Sequence, residues 1–267
     1  MDYAALLKEV VESVNSAGEL LAAEWSRTAG PRGSVDKAEV DIEIEVQLCN
    51  ELLHVLDCDF WGEETGHRLS GAEHCWVVDP NDGTSDFLKG IKGSAVSVGL
   101  LRSGVPILGV VYAPVTESLG ADCIAWAEGL ERILRNGQPI TNALQDRKLE
   151  LGSKVMVSTA AAQKPEINAR LCAPAEFVPM PSIAYRLARV AAGDGVAAVS
   201  VVPVSAHDVV AGHAILRGVG GDLLDQCGNP ISYQAEANFS IVSQRCFGGA
   251  LDACHDLLCR DWDAVFQ

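Results

Sequence analysis

The stretch VVDPNDGTSDF, residues 77–87, places two carboxylates close together directly after a buried apolar run. Pro80 fixes its own φ and disfavours helix at Asp79, so the chain must turn there, and Asp79 and Asp82 can then face one point. Two ionised carboxylates this close repel each other unless cations lie between them. Because oxygen-rich clusters of this kind suit Mg²⁺, the stretch predicts a metal site.

The residues that follow are suited to binding a phosphate. Gly83 lets the backbone approach a ligand closely, and residues 84–86 are favourable in the first turn of a helix. A helix N-terminus offers free N–H groups to a phosphate. For an isolated motif of this kind the alternative is an Asx turn with a helix cap and no chemistry.

Two other acidic segments weigh against that alternative. GEET supplies Glu63 and Glu64 before the strand, and SAHDVVAGHAIL supplies Asp208 at the start of a helix in the second half of the chain. Carboxylates from both halves that meet in a cleft are a common arrangement for a binding site.

The composition is that of an acidic globular protein, with 267 residues and a net charge of −16. Such a field repels nucleic acid polymers and anionic membranes, whereas it tolerates cations and a small anionic substrate bridged by them. No apolar run has the length of a membrane span, and the N-terminus lacks the basic region of a signal peptide. We therefore expect a cytoplasmic protein without a membrane or nucleic acid partner.

Periodic apolar residues predict the elements of the first half. Leucines and valines every three to four residues predict an amphipathic helix over 3–25 and a second helix over about 38–55. HCWVVDP, residues 74–80, is typical of a short buried strand, and SAVSVGLL and VPILGVVYAP predict a β-hairpin. An Asn-Gly turn at 136–137 joins two short strands.

The second half alternates strands and helices. Strands are predicted in KVMVSTA and GVAAVSVVP, helices in SIAYRLARVAAG, AHDVVAGHAILRGVGG and ALDACHDLLCR, and short extended pieces in DLLD, NPISY and NFSIVSQ. The polar stretch at 142–153 marks the junction of the two halves. We expect an α+β domain over 1–145 that carries most metal-binding carboxylates, and an α/β domain over 146–267 that completes the site.

GEET, WVVDPNDGTSDF and HDVVAGHAILRGVGG, in this order and at these intervals, resemble the inositol monophosphatase family of Mg²⁺-dependent, Li⁺-sensitive phosphatases. The family patterns are close to GEE[ST], D-P-[IL]-D-G-T and W-D-x-A-A-G…GG, and the resemblance covers nearly the whole chain. It implies a layered αβαβα sandwich that mixes α+β and α/β organisation, and that is often a homodimer. The implied reaction is hydrolysis of a small phosphate ester by a metal-activated water, with two or three Mg²⁺ ions as cofactors.

The resemblance also implies a role for each matched residue. The implied metal ligands are Glu63, Asp79, the backbone carbonyl of Asn81, Asp82 and Asp208. Gly83 and Thr84 would donate to the phosphate. Glu63 and Thr84 would orient the attacking water, with Asp82 completing the catalytic set, and Glu64 would lie just outside the ligands.

Four positions depart from the family pattern. VDKAEVDIE aligns with a V-T-x-A-D-like segment, so Asp36 replaces the Thr and Glu39 replaces the Asp that helps to hold a metal-bound water in relatives. Because Glu39 is one methylene longer, we expect a shifted or weaker site for the last metal ion. His207 stands where a Trp normally precedes the metal-binding Asp, and Asn81 replaces an aliphatic residue of which only the carbonyl is needed.

The segment PSIAYRLARVAAG resembles the family helix that faces the substrate, and it supplies Ser182 and Arg186 as predicted substrate contacts. At the position of Arg186, inositol phosphatases tend to carry an acidic residue, whereas the 3′(2′),5′-bisphosphate nucleotidase branch usually carries a Lys. DLLDQCGNPISY, the segment around Asn238 and FLKGIKGSAVSVGLL also resemble that branch. A cation suits a second anionic group on the substrate, although a solvated helix residue is the alternative for Arg186.

The predicted reaction is hydrolysis of the 3′-phosphate of adenosine 3′,5′-bisphosphate or of its sulfated relative. One alternative is an inositol or sugar monophosphatase, which would use the same metal site. The other is a catalytically weak protein that binds metal and phosphate as a sensor, for which the altered segment at 36–39 is the reason.

Overall fold

The structure is a computed structural model that describes residues 1–234 and 239–267. Its chain begins with helix α1 (Tyr3–Trp25), a small hairpin of β1 (Gly33–Ser34) and β2 (Lys37–Ala38), and helix α2 (Glu39–Val55). Both helices have the bounds that their apolar periodicity predicts, because one apolar stripe on each is buried against the same core. The segment around Asn238, which resembled the nucleotidase branch, lies outside the described residues.

The first sheet follows α2 in the chain. Its strands are β3 (Asp59–Gly62), β4 (His67–Arg68), β5 (His74–Asp82), β6 (Ala95–Arg102), β7 (Val105–Ala113), β8 (Asp122–Ala127), β9 (Ile133–Arg135) and β10 (Gln138–Ile140). The eight strands lie in the order β10-β9-β8-β7-β6-β5-β3-β4. The short helix α3 (Thr84–Leu88) follows β5. All neighbours are antiparallel except β3 and β5, which are parallel, and this pair forms the edge of the site.

The second sheet has five strands in the order β12-β11-β13-β15-β14. Its strands are β11 (Lys154–Val157), β12 (Glu176–Pro179), β13 (Ala197–Ser200), β14 (Asp222–Asp225) and β15 (Cys246–Gly249). The helices of this half are α4 (Pro165–Cys172), α5 (Ile183–Ala191), α6 (Ala206–Arg217) and α7 (Leu251–Leu258), with 3₁₀ turns at Thr159–Gln163 and Trp262–Phe266. Parallel pairing is confined to β12, β11 and β13.

The elements stack in five layers. Helices α1 and α2 cover one face of the first sheet, α5 and α6 lie between the two sheets, and α4 and α7 cover the far face of the second sheet. The connection from β11 to β12 runs in one direction across the second sheet, and the connection from β12 to β13 runs back in the other. Because both connections are expected to be right-handed, α4 and α5 must lie on opposite faces of this sheet. The predicted αβαβα layering is confirmed.

The junction predicted at 142–153 falls between the two sheets, after β10 and before β11. One apolar core nevertheless runs from Val77 in the first sheet, through α5 and α6, to Trp262 near the C-terminus. The division into domains at 145 and 146 therefore stays a prediction, since the halves share this core. Among the described helices, none combines the length and the apolar character needed to cross a membrane.

Candidate active site

A bulge in β5 turns two carboxylates toward one point. Asp79 pairs with Ser97 and Asp82 pairs with Ala95, so three steps along β5 match two steps along β6. Residues three apart on a regular strand point to opposite faces, and one extra residue reverses that relation. Asp79 and Asp82 are both buried, and Asp79 Oδ1 also accepts from the Asn81 N–H at 2.8 Å in an Asx turn.

Glu63 reaches the same point from the neighbouring parallel strand. Gly62, the last residue of β3, pairs with Val78, so the loop after β3 starts beside Asp79. Glu45 of α2 holds this loop through its carboxylate, which accepts from the Glu64 N–H at 2.9 Å and from the Thr65 N–H at 2.6 Å. Gly62 permits this contact, since a Cβ there would lie 2.1 Å from Glu45 Oε1.

Glu45→Ala should therefore weaken metal binding, because the loop that carries Glu63 loses its anchor. We expect the affinity for Mg²⁺ to fall about 10- to 100-fold, as is usual when the partner that orients a metal ligand is removed. Isothermal titration calorimetry of the metal-free protein checks this. Glu51→Ala, on the same helix, is the matched control, and equal affinities in both variants would contradict the anchoring role of Glu45.

Asp208 comes from the second half of the chain. It is the third residue of α6, and its Oδ2 accepts from the Ser205 N–H at 2.5 Å, which fixes the carboxylate at the helix N-terminus. One oxygen each of Asp79, Asp82 and Asp208 lie within 4.8 Å of one another. A carboxylate from each half thus meets at the cleft, as the sequence predicted.

Ser182 supports Asp82 from the start of α5. The Ser182 hydroxyl donates to Asp82 Oδ2 at 2.5 Å, and the Ala184 N–H donates to the same oxygen at 2.6 Å. Ser182 is fully buried and also accepts from the Tyr185 N–H at 2.9 Å. The structure therefore places the Ser182 hydroxyl on a carboxylate of the cluster, and its predicted contact with substrate stays a prediction.

Burial raises the pKa of Glu63, Asp79, Asp82 and Asp208, and mutual repulsion adds to the effect at the first three. Burial, with the charges of Glu63, Asp82 and Asp208, raises the pKa of Asp79 well above its ordinary value. Burial raises the pKa of Asp82 to about 7, aided by the charge of Asp208, and raises the pKa of Asp208 to about 6. Burial raises the pKa of Glu63 to about 8, with repulsion from Asp208 adding to it. A bound cation would relieve this repulsion.

Asp41 lies in the position beside the cluster where the sequence predicted Glu39, and no separate prediction was made for Asp41. Asp41 is buried, its Oδ2 accepts from the Ala38 N–H at 3.1 Å, and its Oδ1 accepts from Asn81 Nδ2 at 3.0 Å. Glu39 has 63% of its side chain exposed and pairs with Arg32 at 3.4 Å, away from this network. The prediction for Glu39 is therefore wrong by two positions.

The substitution predicted at Asp36 shares this error, since Asp36 is exposed in the turn between β1 and β2.

Burial raises the pKa of Asp41 to about 6, and the charge of Glu64 adds to the effect. Glu64 also acts on Glu63, so it lies close to both carboxyls, as expected of a residue just outside the ligands.

Thr84 connects Asp41 to the turn after β5. Its hydroxyl lies 2.7 Å from the carbonyl oxygen of Asn81 and 3.4 Å from Asp41 Oδ2, and it can donate to either one. Gly83 precedes it with a φ of +98°, in the left-handed region, and caps α3, whose first turn begins at Thr84 as the sequence predicted. The Asn81 side chain takes part as well, since its amide donates to Asp41.

His207 lies beside the cluster, in the position where the family pattern has a Trp. Its Nε2 is 3.9 Å from Glu63 Oε1 and 3.9 Å from Asp208 Oδ1. One donor atom each of Glu63, Asp79 and His207 also lie within 4.8 Å of one another. Burial lowers the pKa of the imidazole. Asp79 belongs both to this group and to the group that it forms with Asp82 and Asp208, so the site offers two adjoining positions for metal ions.

A cavity of about 420 Å³ opens from the cluster into the second half of the chain. Asp82, Asp208 and Arg186 line it next to the carboxylates, and its far walls include Val201, Trp262 and other apolar side chains. Arg186 is buried, with Nε donating to the Ser182 carbonyl at 3.2 Å and Nη1 donating to the Val199 carbonyl. It is therefore not a solvated helix residue, and its cation faces the cavity.

The donor set fits magnesium. Clustered carboxylate oxygens with a backbone carbonyl at hand are the ligands that hard divalent cations prefer, and three of the carboxylates come from rigid strand or helix ends. Glu63, Asp79, Asp82 and Asp208 would hold the ions, and the Asn81 carbonyl faces the same turn.

The inositol monophosphatase family model matches residues 2–265 of the chain. The chain belongs to the inositol monophosphatase family. The phosphatases of this family are phosphoric monoester hydrolases and are in general Mg²⁺-dependent, which agrees with the acidic donor groups.

The relatives of the chain include proteins named as inositol monophosphatases and proteins named as 3′(2′),5′-bisphosphate nucleotidases. An inositol-1-monophosphatase of Rhizobium meliloti is 34% identical over 170 residues, which is 60% of this chain and 58% of that protein. A 3′(2′),5′-bisphosphate nucleotidase CysQ of Shigella flexneri is 29% identical over 254 residues, which is 88% of this chain and 96% of that protein.

The fold is that of solved structures in the inositol monophosphatase family. The extragenic suppressor protein suhB from Bartonella henselae superposes with a TM-score of 0.75 at 21% identity, covering 95% of this chain and 97% of that chain. These similarities establish a phosphatase of the inositol monophosphatase family and leave its substrate open.

Proposed function

We propose that this phosphatase hydrolyses the 3′-phosphate of adenosine 3′,5′-bisphosphate. In the proposed reaction a water oxygen forms a bond to phosphorus as the ester P–O bond breaks, and the alcohol leaves with a proton. When bound, two or three magnesium ions supply charge neutralisation of the phosphate oxygens and a lowered pKa for the attacking water. No covalent nucleophile is required.

The residues of the chain have separate tasks in this proposal. Asp79, Asp82, Asp208 and Glu63 hold the ions, while the Asn81 carbonyl completes the set. The Thr84 hydroxyl, placed between the Asn81 carbonyl and Asp41, is positioned to orient the attacking water together with Glu63. Backbone N–H groups at Gly83 and Thr84 would bind the phosphate being transferred.

The cavity next to the cluster is the observation that carries the choice of a nucleotide. Its volume of about 420 Å³ is in the range of small-molecule sites, and its apolar walls at Val201, Trp262 and Val265 suit the flat, apolar faces of an adenine ring. Inositol carries a hydroxyl on every carbon and would leave such walls without partners. Arg186 adds a buried cation to the lining of the cavity, to which a second phosphate could bind.

The alternative substrate is an inositol or sugar monophosphate. It is favoured by the name of the 34% identical relative from Rhizobium meliloti and by the two carbonyls that already engage Arg186. This reading keeps the same metal site and the same water attack, and it differs only in what occupies the cavity.

The argument for a catalytically weak sensor protein no longer holds. It rested on the replacement of an acidic residue in the segment 36–39, and Asp41 supplies a buried carboxylate against Thr84 and Asn81. Metal binding without any phosphate release would bring this alternative back.

Phosphate release with Mg²⁺ present tests the proposal directly. We expect adenosine 3′,5′-bisphosphate to be cleaved with a kcat/KM at least about 10-fold above that for inositol 1-phosphate, since a second anchored phosphate contributes more than 1.4 kcal/mol. The reverse preference would favour the alternative substrate and leave the metal site unaffected.

Arg186→Met should separate the two substrates further. Because the variant removes the cation but keeps most of the buried side-chain volume, KM for the bisphosphate should rise about 10-fold, while KM for the monophosphate changes little. Arg189→Met, on the same helix but paired with Asp194 at 2.6 Å, is the matched control. Equal effects of Arg186→Met on both substrates would remove this argument for a nucleotide.

A further inference from the structure

His207 is a nitrogen donor placed among carboxylates, and its side chain makes no hydrogen bond within the part of the chain that the structure describes. Its side chain is 15% exposed, and its Nδ1 is buried without a hydrogen-bond partner among the residues that the structure describes. Its Nε2 lies 3.9 Å from the carboxylate oxygens of Glu63 and Asp208, which is beyond hydrogen-bond distance. Nε2, the nitrogen that lies between the carboxylates, is therefore available to a further ligand.

The geometry permits a metal ion to bind His207 Nε2, although such an ion would not provide a partner for Nδ1. Two ligands that each lie about 2.1 Å from one ion can be at most about 4.2 Å apart. The 3.9 Å separation between His207 Nε2 and Glu63 Oε1 is within this limit. Asp79 offers a third donor atom within 4.8 Å of the other two, so a small shift of its side chain would complete the group.

We propose that His207 is a ligand of the ion held between Glu63 and Asp79, and that it shifts the selectivity of this position toward Mn²⁺. Imidazole favours first-row transition ions over Mg²⁺, whereas carboxylates accept both, so one nitrogen changes the preference of an otherwise all-oxygen site. The inference rests on the metal role proposed for Glu63 and Asp79, and it does not depend on which phosphate ester is cleaved.

The rival role for His207 is that of a charged partner. A protonated imidazole at 3.9 Å from Glu63 and Asp208 would offset part of the carboxylate repulsion without touching a metal ion. The two roles differ in a property that can be measured, since only a ligand transfers electron spin from Mn²⁺ to nitrogen.

The experiment is pulsed EPR of the full-length protein loaded with Mn²⁺. We expect a ¹⁴N coupling typical of a directly bound imidazole in the natural protein, absent in His207→Phe and His207→Gln and retained in the control His255→Phe. His255 is exposed on α7, away from the cluster. Calorimetric titration of each protein with Mn²⁺ and with Mg²⁺ should show the ratio of their affinities falling at least about 10-fold in both His207 variants.

The outcomes separate this inference from the proposed function. Binding of Mn²⁺ without nitrogen coupling, or an unchanged affinity ratio in the His207 variants, would overturn the ligand role and leave the proposed function standing. If the natural protein bound neither ion, both would fail. Circular dichroism verifies that each variant is folded, and the coupling in the natural protein decides the question even if His207→Phe does not fold.

Discussion

Asp82→Asn should reduce phosphate release by at least about 100-fold while the fold persists, since Asp82 is one of the carboxylates that would hold the ions. Removing a residue that merely orients a metal ligand costs about 10- to 100-fold, and the loss of a ligand charge should cost no less. Asn retains an oxygen to accept from the Ala184 N–H, which lies 2.6 Å from Asp82 Oδ2 in the natural protein. The start of α5 therefore keeps its anchor.

Steady-state phosphate release and thermal unfolding together check this result. Asp86→Asn is the matched control, because it removes a nearby carboxylate that accepts from Thr159 at 2.5 Å and belongs to neither donor group. A near-normal rate in Asp82→Asn would contradict the assignment of Asp82 to the metal site. A low rate with a collapsed melting transition would show that Asp82 is needed for the fold.

The elements with strong local signals were predicted well from the sequence. Helices α1, α2 and α5–α7 have apolar stripes with a helical period, and the β6–β7 hairpin has alternating or continuous apolar strands around a Ser-Gly turn. Helix α3 begins at Thr84, where the first-turn residues 84–86 placed it. In each case the residues that set the local conformation are adjacent in the chain.

Other elements were missed because their stability depends on distant partners. Strand β8 (Asp122–Ala127) is buried on one face by α1 and on the other by α6, so it shows no alternation. Strand β15 (Cys246–Gly249) contains two glycines and exists through its pairing with β13 and β14. Helix α4 is short and polar, and it is held by its Pro165 start and by contact with the C-terminal 3₁₀ turn.

The error of two positions at Glu39 has a physical cause. The segment has acidic residues at 36, 39, 41, 43 and 45, so charge alone permits several alignments. The apolar repeat from Val40 to Ile44 that predicted α2 also shows which acids face inward, since Asp41 and Glu45 follow the buried stripe by one residue. A buried acid on the apolar face of a helix was the signal that could have found Asp41.

The sequence predicted that the carboxylates converge, but it could not reveal the strand pairing that brings them together. Asp79 and Asp82 share a face only because β5 carries a bulge, and a bulge depends on the pairing with β6. The contact of the Asn81 amide with Asp41 joins residues 40 positions apart. The place of Glu63 beside Asp79 depends on the parallel pairing of β3 and β5, which the local pattern does not reveal.

The raised carboxyl pKa values predict how stability without metal changes with pH. Asp41 and Asp208 titrate at about 6, Asp82 at about 7 and Glu63 at about 8, whereas unfolded carboxyls titrate near 4. Between about pH 4 and 8 the folded protein therefore binds more protons than the unfolded chain, and its free energy of unfolding falls as pH rises. Each additional bound proton contributes a slope of about 1.4 kcal/mol per pH unit.

Magnesium should reverse this trend, because it binds the ionised carboxylates and competes with protons. In EDTA we expect the melting temperature to be lower at about pH 8.5 than at about pH 6, and Mg²⁺ should raise it more at the higher pH. Asp82→Asn should weaken both effects, since one buried charge is removed, whereas Asp86→Asn should keep them. A melting temperature in EDTA that rose with pH would mean that the carboxyls of the cluster are not the groups that set stability in this range.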